Sequence, residues 1–222
     1  MMNMAGNTCA SDRPFCFVSQ DELPSGEAYE AYISRTKRIP TRNNLHDLFN
    51  AACWLRFPAI KRRLNDLQSA ELVRLGVGST RGPVRDALTL FDENAILVSG
   101  PAPLRDAMLV RDWHALFVRH RPLWSQTRMT VFGHALLEKL VRPYKSITAH
   151  ALWVDTEPAD QGMSIESWDT QLERSLTGRL TPELLASKPF CPLPVMGLPG
   201  WCAQNEAPDF YLDTEVFRPA RR

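Results

Sequence analysis

Two stretches with helical spacing of apolar residues meet at Pro58. Before the proline, apolar residues recur every three or four positions, and the same spacing resumes after it. Because a proline ends one helix and can occupy the first position of the next, this pattern predicts two helices joined at an angle. Thr41, Asn43 or Asn44 can cap the first of them. The predicted core-facing residues are Leu45, Leu48, Phe49, Ala52 and Leu55 in the first helix, and Ile60, Leu64, Leu67, Leu72 and Leu75 in the second.

The middle of the chain changes to a pattern that is typical of strands. Residues 87–98 contain two apolar runs around a short polar segment, which predicts a β-hairpin. Asp92 and Asn94 suit its turn, because both side chains tolerate left-handed or side-chain-capped conformations. Residues 145–154 alternate as a further strand and place His150 on the face opposite the apolar residues. The hairpin and this strand together predict a small antiparallel sheet.

Helical patterns dominate the remainder of the chain, and a proline-rich segment closes it. That segment is too apolar for a flexible linker, so we expect it to pack on the domain as an ordered strap. The prediction is therefore an α+β fold, a mostly helical single domain with a small antiparallel β-sheet and a proline-rich C-terminal strap. We expect a flexible N-terminus at residues 1–20 and the domain at residues 21–222. The further predicted helices are 104–118, 129–141, 164–176 and 182–187.

The composition is that of an ordinary soluble protein. The 222 residues are 44% hydrophobic and 23% charged. The chain contains no apolar run of the ~18 residues that a membrane span needs, and its first residues lack the apolar core of a signal peptide. The five cysteines show no CxxC spacing, so they predict neither a disulfide framework nor a zinc knuckle. We expect a cytoplasmic protein with no membrane partner.

Positive charge is concentrated in residues 37–85, which hold ten basic and three acidic residues. Such a region is either a solvated helical surface or a site for a phosphate, a carboxylate or nucleic acid. Neither of the glycine-rich phosphate-binding motifs, GxxxxGK[ST] and GxGxxG, occurs. A conventional ATP or NAD fold is therefore not expected.

Four sequence blocks follow one another along the chain. They are IPTRNNLHDLFNA at 39–51, RDALTLFDEN at 85–94, GHALLEKL at 133–140 and ITAH at 147–150. Together they resemble a bacterial domain family of unknown function, and the resemblance extends over roughly residues 25–218. It implies a single soluble domain and brings no substrate, cofactor or catalytic residue with it.

Histidines and a carboxylate could form a metal site. His134 and Glu138 lie four residues apart and share one face of a predicted helix. His150, on the polar face of the following strand, could supply a third ligand. Two histidines and one carboxylate with open positions bind iron or zinc in enzymes. The alternative is structural: His134 hydrogen-bonds Glu138 or a backbone carbonyl, and Glu138 pairs with a nearby cation.

Acid–base and substrate-binding candidates surround the same centre. His46, Asp47 and Glu138 are the predicted catalytic residues, although His46 and Asp47 equally fit a helix surface. Arg42, Arg85 and Lys139 are the cations predicted to hold an anionic substrate, with structural ion pairs as the alternative.

Two function classes remain open. The first is a metal-assisted or hydrolase-like enzyme that acts on a small anionic substrate, with a divalent metal, zinc or iron, as its possible cofactor. The second is a non-enzymatic module that binds nucleic acid or protein through the basic region 37–85.

Overall fold

Eight α-helices and six strands make up the part of the chain that the computed structural model describes, which is residues 15–76, 82–156 and 163–220. Short 3-10 turns and one π-helical turn connect them. The helices are α1 Tyr29–Thr36, α2 Leu45–Arg56, α3 Pro58–Leu75, α4 Pro83–Asn94, α5 Ala102–Leu109, α6 His134–Leu140, α7 Ile165–Arg179 and α8 Pro182–Ala186. The strands are β1 Cys16–Ser19, β2 Arg38–Thr41, β3 Ala95–Ser99, β4 Arg128–Val131, β5 Thr148–Trp153 and β6 Cys191–Pro194.

The main sheet is mixed rather than antiparallel. Its strand order is β4-β3-β5-β6, with β3 and β5 parallel at the centre and an antiparallel strand on each side. Parallel neighbours need a crossover connection, and the chain from α5 to α6 supplies it. The α+β class is confirmed, whereas the antiparallel pairing that we expected at the centre of this sheet is wrong.

The predicted hairpin at 87–98 does not form, because most of it belongs to α4. Val84, Ala87, Leu88 and Phe91 are buried at helical spacing, and Pro83 occupies the first helical turn. Only the end of the segment is a strand, β3. The apolar run fits both periods, and burial of one helical face decided the outcome. The consequence for function is that the 92–94 segment forms the last turn of a helix instead of a hairpin tip.

The corner at Pro58 is confirmed, but the first helix is turned the other way. Leu45, Leu48 and Leu55 are 50%, 59% and 62% exposed, whereas Asp47 is only 6% exposed. Trp54 is buried on the inner side. The polar stripe of α2 therefore faces the protein and its leucine stripe faces outward. Burying polar side chains requires partners for them, and these partners define the candidate site.

Apolar residues cover both faces of the main sheet. Ile96 and Ala149 face one core cluster, which also holds Phe117 and Phe217. On the other face, Leu97 packs with residues of α3, α4 and α7. The predicted strap is ordered, since β6 pairs with β5 and the following turns pack on the first cluster.

The N-terminal part that the structure describes is also ordered. Residues 16–19, which we expected in a flexible N-terminus, form β1 and pair in parallel with β2. Residues 1–14 lie outside the described residues. Within the described ranges, no helix combines the length and the apolar character needed to cross a membrane.

Candidate functional site

A close approach of two backbones creates the centre of the site. Gly133 precedes α6 and lies against the end of α4, so closely that an added Cβ would come within 2.4 Å of the Glu93 carbonyl oxygen and 2.5 Å of Asn94 Cα. Only glycine fits there without a backbone shift. The contact places His134, the first residue of α6, beside Asp92, and its Nδ1 donates to the Asp92 carbonyl oxygen at 2.8 Å.

Two histidines and a glutamate form a chain of hydrogen bonds between α2 and α6. His134 Nε2 lies 3.1 Å from His46 Nε2, and His46 Nδ1 lies 3.0 Å from Glu138 Oε2. The imidazole rings meet edge to face, with centroids 4.5 Å apart at 79°. The side chains of His46 and Glu138 are 37% and 42% exposed, so this end of the chain reaches solvent.

The donors and acceptors in this chain of hydrogen bonds determine which ring nitrogens carry protons. Burial lowers the pKa of His134 and outweighs the opposing effect of Asp92, so His134 is neutral near pH 7. Its Nδ1 proton goes to a carbonyl, which leaves Nε2 as an acceptor. His46 must then donate from Nε2 to His134 and from Nδ1 to the Glu138 carboxylate. Both ring nitrogens of His46 thus act as donors, one toward His134 and one toward Glu138.

A buried ion pair lies behind His134. Lys61 Nζ is 2.5 Å from Asp92 Oδ1, and the Lys61 side chain is only 4% exposed. Lys61 also donates to Asn50 Oδ1 at 2.8 Å and lies 5.3 Å from the centroid of the Trp54 ring. Burial raises the pKa of Asp92, but Lys61 and His134 outweigh it and hold that pKa below its usual range. Asp92 is thus a carboxylate, and its Oδ2 is 3.7 Å from His134 Nδ1.

A second, shorter chain contains the other predicted residues on this side. Asn94 Nδ2 lies 3.1 Å from His150 Nδ1 and 2.9 Å from the Thr148 carbonyl oxygen. Lys139 Nζ donates to Asn94 Oδ1 at 3.3 Å. Burial, helped by the charge of Lys139, lowers the pKa of His150. Neutral His150 is therefore an acceptor at Nδ1 and carries its proton on Nε2.

The predicted metal ligands are divided between these two chains of hydrogen bonds, the one through His46 and the one through His150. The ring nitrogens of His134 face Asp92 and His46, Glu138 faces His46, and His150 faces Asn94. No group of three or more histidine, cysteine, aspartate or glutamate side chains among the described residues is arranged to hold a metal ion. The structure therefore does not assemble the predicted set of His134, Glu138 and His150.

Arg42 and Asp47 form a local pair at the start of α2. Arg42 donates to Asp47 from its backbone nitrogen at 2.6 Å and from its guanidinium to both carboxylate oxygens at 3.0 Å. Burial raises the pKa of Asp47, but the hydrogen bonds from Arg42 outweigh it and lower that pKa. Asn44 caps the same helix end by accepting from the Asp47 N–H at 2.8 Å. Both predicted site residues thus stabilise a helix start and lie outside the histidine chain.

Arg85 lies away from the histidines. It precedes Asp92 by seven positions in α4, which corresponds to about 10 Å along a helix axis. Its Nε and Nη1 are buried and have no hydrogen-bond partner in the described part of the chain. The structure therefore separates Arg85 from the other predicted substrate-binding cations.

Comparison with known proteins assigns a family and no activity. A family model described as a protein of unknown function, DUF3025, matches residues 15–221. The chain belongs to the DUF3025 family. The resemblance to a domain family of unknown function is thereby confirmed. No curated protein and no solved structure matches the chain.

The site of this DUF3025 chain contains residues that the sequence patterns did not indicate. Lys61 and Asp92 are the main ones, and Asn94 is the link to His150. The sequence did contain an indication for Lys61. This residue follows Ile60, which belongs to the apolar stripe of α3, and its side chain is buried together with that stripe. Asp92 was assigned to a turn, and only the helical reading of α4 puts it four residues after buried Leu88.

Ion pairs also neutralise much of the basic region in this DUF3025 chain. Of its described basic residues, five contact a carboxylate within the ion-pair distance, which reduces the charge that is free to meet a polyanion. The pairs are Arg38 with Glu22, Arg42 with Asp47, Arg56 with Asp169, Lys61 with Asp92 and Arg74 with Glu71.

Proposed function

We propose that the chain is an enzyme in which His46 and Glu138 carry out hydrolase-like acid–base chemistry on a small anionic substrate. The observation that supports the proposal is the chain from Glu138 through His46 to His134. It holds the Nδ1 of His46 and the carboxyl group of Glu138 3.0 Å apart at a surface that solvent reaches. An acid and a base in direct contact are the groups that water addition to an ester or anhydride requires.

The proposed reaction keeps the protons balanced. Glu138 takes a proton from the attacking water, and His46 gives its Nδ1 proton to the leaving oxygen. The bond between the substrate's central atom and that oxygen breaks as the bond to water oxygen forms. Glu138 then returns its proton to His46 Nδ1 through the hydrogen bond that joins them. The pair is thereby reset without another reactant.

The remaining residues of the site have positioning roles in this proposal. His134 accepts from His46 Nε2 and fixes the orientation of that ring, and the Asp92 carbonyl fixes His134 in turn. Lys139 follows Glu138 on α6 and supplies positive charge for an anionic substrate. The proposed chemistry needs no metal. It therefore does not require the predicted metal ligands, which belong to two separate chains of hydrogen bonds, to meet at one point.

Chromogenic esters test this function. Purified protein is assayed with p-nitrophenyl phosphate and p-nitrophenyl acetate, with EDTA and with added zinc or iron. We expect turnover that EDTA leaves unchanged and that His46→Gln and Glu138→Gln each lower about 100-fold or more. The matched control is His114→Gln, which changes an exposed histidine outside the site. Turnover that both site variants retain, or the absence of any turnover, contradicts the proposal, and loss with EDTA favours the metal-assisted form.

The alternative from the sequence is a non-enzymatic module that binds nucleic acid or protein through residues 37–85. The ion pairs that five basic residues of that region form favour the enzyme over the nucleic-acid form of this alternative. Salt-dependent binding to a polyanion distinguishes the two.

A further inference from the structure

A small polar cavity is lined by both members of the Lys61–Asp92 pair. Its volume is about 50 Å³, and it lies among α1, α3 and α4. Its lining is unusual for a space between helices, because charged and amide side chains contribute as much as apolar ones. The polar lining residues are Tyr29, Glu30, Lys61, Asn65, Gln68 and Asp92.

Two buried acceptors on side chains that line the cavity have no partner in the part of the chain that the structure describes. Asn65 is 5% exposed and donates from Nδ2 to the Glu30 carbonyl oxygen at 2.9 Å, an arrangement that fixes which end of the amide faces inward. Its Oδ1, like the Oε1 of Gln68, has no hydrogen-bond partner among the described residues. A buried carbonyl oxygen without a hydrogen bond is costly, so such groups normally have a partner.

The same wall also offers donors that the protein leaves unused. Tyr29 accepts from Asn50 Nδ2 at 3.1 Å through its phenol oxygen, and its own hydroxyl proton has no acceptor among the described side chains and carbonyls. Lys61 Nζ has three protons and two oxygen partners, Asn50 and Asp92. Side chains with unused donors and acceptors therefore line one small, partly open space.

We propose that this cavity is an ordered water site, in which about two or three water molecules bridge Asn65 Oδ1 and Gln68 Oε1 to Tyr29 and Lys61. Water is the ligand that both donates and accepts at this size. A cavity needs only roughly 10–15 Å³ to hold one molecule, and each buried water needs two to four polar partners. An anion is disfavoured by the two amide oxygens, and a cation by the Lys61 ammonium.

The site matters for the neighbouring ion pair. The waters hydrate Lys61 and Asp92, which both line the cavity, so two charges that leave bulk solvent gain further hydrogen bonds. The proposal that water occupies the cavity depends only on the cavity and the residues that line it. Its bearing on catalysis rests on the proposed function, because Asp92 positions His134 and His134 positions His46.

A crystal structure of the full chain at about 1.5 Å resolution tests the site directly. We expect at least two ordered waters in the cavity, with one within hydrogen-bond distance of Asn65 Oδ1 and one within that distance of Gln68 Oε1. An empty cavity, or amide oxygens that have repacked onto protein donors, overturns the inference.

A pair of matched variants gives an independent test in solution. Gln68→Leu removes an acceptor of the cavity, and Gln171→Leu removes another half-buried, unpartnered Oε1 on α7, outside it. If water occupies the cavity, Gln68→Leu displaces it and lowers the unfolding midpoint relative to Gln171→Leu. If the cavity is dry, both variants lose an unsatisfied acceptor, and equal or raised midpoints overturn the inference. Ester turnover is measured on the same variants, so hydration without activity refutes only the proposed function.

Discussion

At the scale of single residues, the Lys61–Asp92 pair is the contact on which the site most depends. Asp92→Ala leaves a buried ammonium without its counter-charge, and breaking such a pair costs about 3 kcal/mol or more. We expect the free energy of unfolding to fall by that amount in urea titration. The matched control is Asp106→Ala, which removes an ion pair whose two side chains are both exposed. Equal effects of the two substitutions would show that the Lys61 ammonium reaches solvent.

The buried histidines predict how stability depends on pH. The pKa of His134 is lowered from its usual value of 6.5 in the folded chain. As pH falls below about 6.5, the unfolded chain therefore binds the proton first, and the free energy of unfolding decreases until the folded pKa is reached. His150 acts in the same direction. We expect His134→Gln to lose less stability than the natural chain between pH 7.5 and pH 5.5 in urea titrations. If the natural chain and His134→Gln lose the same free energy of unfolding between these two pH values, that result contradicts a neutral His134.

At the scale of elements, α2 shows where a sequence pattern misleads. The spacing of its leucines correctly predicts a helix, but periodicity only shows that two faces differ and does not say which face is buried. The inward face is decided by His46 and Trp54, whose partners come from other parts of the chain. Those partners are not encoded within the helix, so the inversion could not be derived from it.

The orientation of α2 is testable with alanine. Leu48 is exposed on α2, whereas Leu64 is 3% exposed on α3. We expect Leu48→Ala to change the free energy of unfolding by about 0.5 kcal/mol or less, and Leu64→Ala to lower it by about 2–5 kcal/mol. Urea unfolding measures both. A large loss at Leu48 would mean that the leucine stripe is packed.

The junction before α6 provides a second test at this scale. Gly133→Ala places a Cβ on the backbone of Glu93 and Asn94, so the end of α4 must move and His134 with it. We expect a lower unfolding midpoint together with loss of ester turnover. The control is Gly178→Ala in α7, where a Cβ meets nothing within 4 Å. In a helix that change stabilises by about 0.5–1 kcal/mol. A Gly133→Ala variant as stable and active as the natural chain would contradict the close approach.

At the scale of the whole molecule, the sequence reveals local elements but not how segments far apart in the chain pair. The corner at Pro58, the strand at β5 and the ordered C-terminal strap rest on neighbouring residues and were predictable. The parallel pairing of β3 with β5 joins segments about fifty residues apart, and no local period specifies it. The site was predictable to the same extent: His46, His134 and Glu138 meet as neighbours of one centre, whereas Lys61 and Asp92 depend on how α3 and α4 pack.

Charge is also organised across the whole chain. Residues 1–150 carry 20 basic and 14 acidic residues, a net charge of +6, and residues 151–222 carry 6 and 11, a net charge of −5. The two parts are joined by ion pairs such as Arg56 with Asp169 and Lys145 with Asp213. Carboxylates of the acidic part thus pair with some of the basic residues of the other part within the molecule.

This internal compensation predicts weak binding to nucleic acid. In fluorescence anisotropy with a labelled DNA duplex at about 150 mM salt, we expect a Kd no tighter than the roughly 10⁻⁴–10⁻⁶ M of non-specific contacts. Asp169→Asn and Asp213→Asn each free one cation, Arg56 or Lys145, and should therefore tighten binding at low salt and steepen its salt dependence. The control is Glu166→Gln, because Glu166 forms no ion pair with a described residue. This substitution changes the net charge by the same amount as the other two but frees no cation. Nanomolar binding by the natural chain would instead favour the non-enzymatic module, because only an uncompensated basic surface produces it.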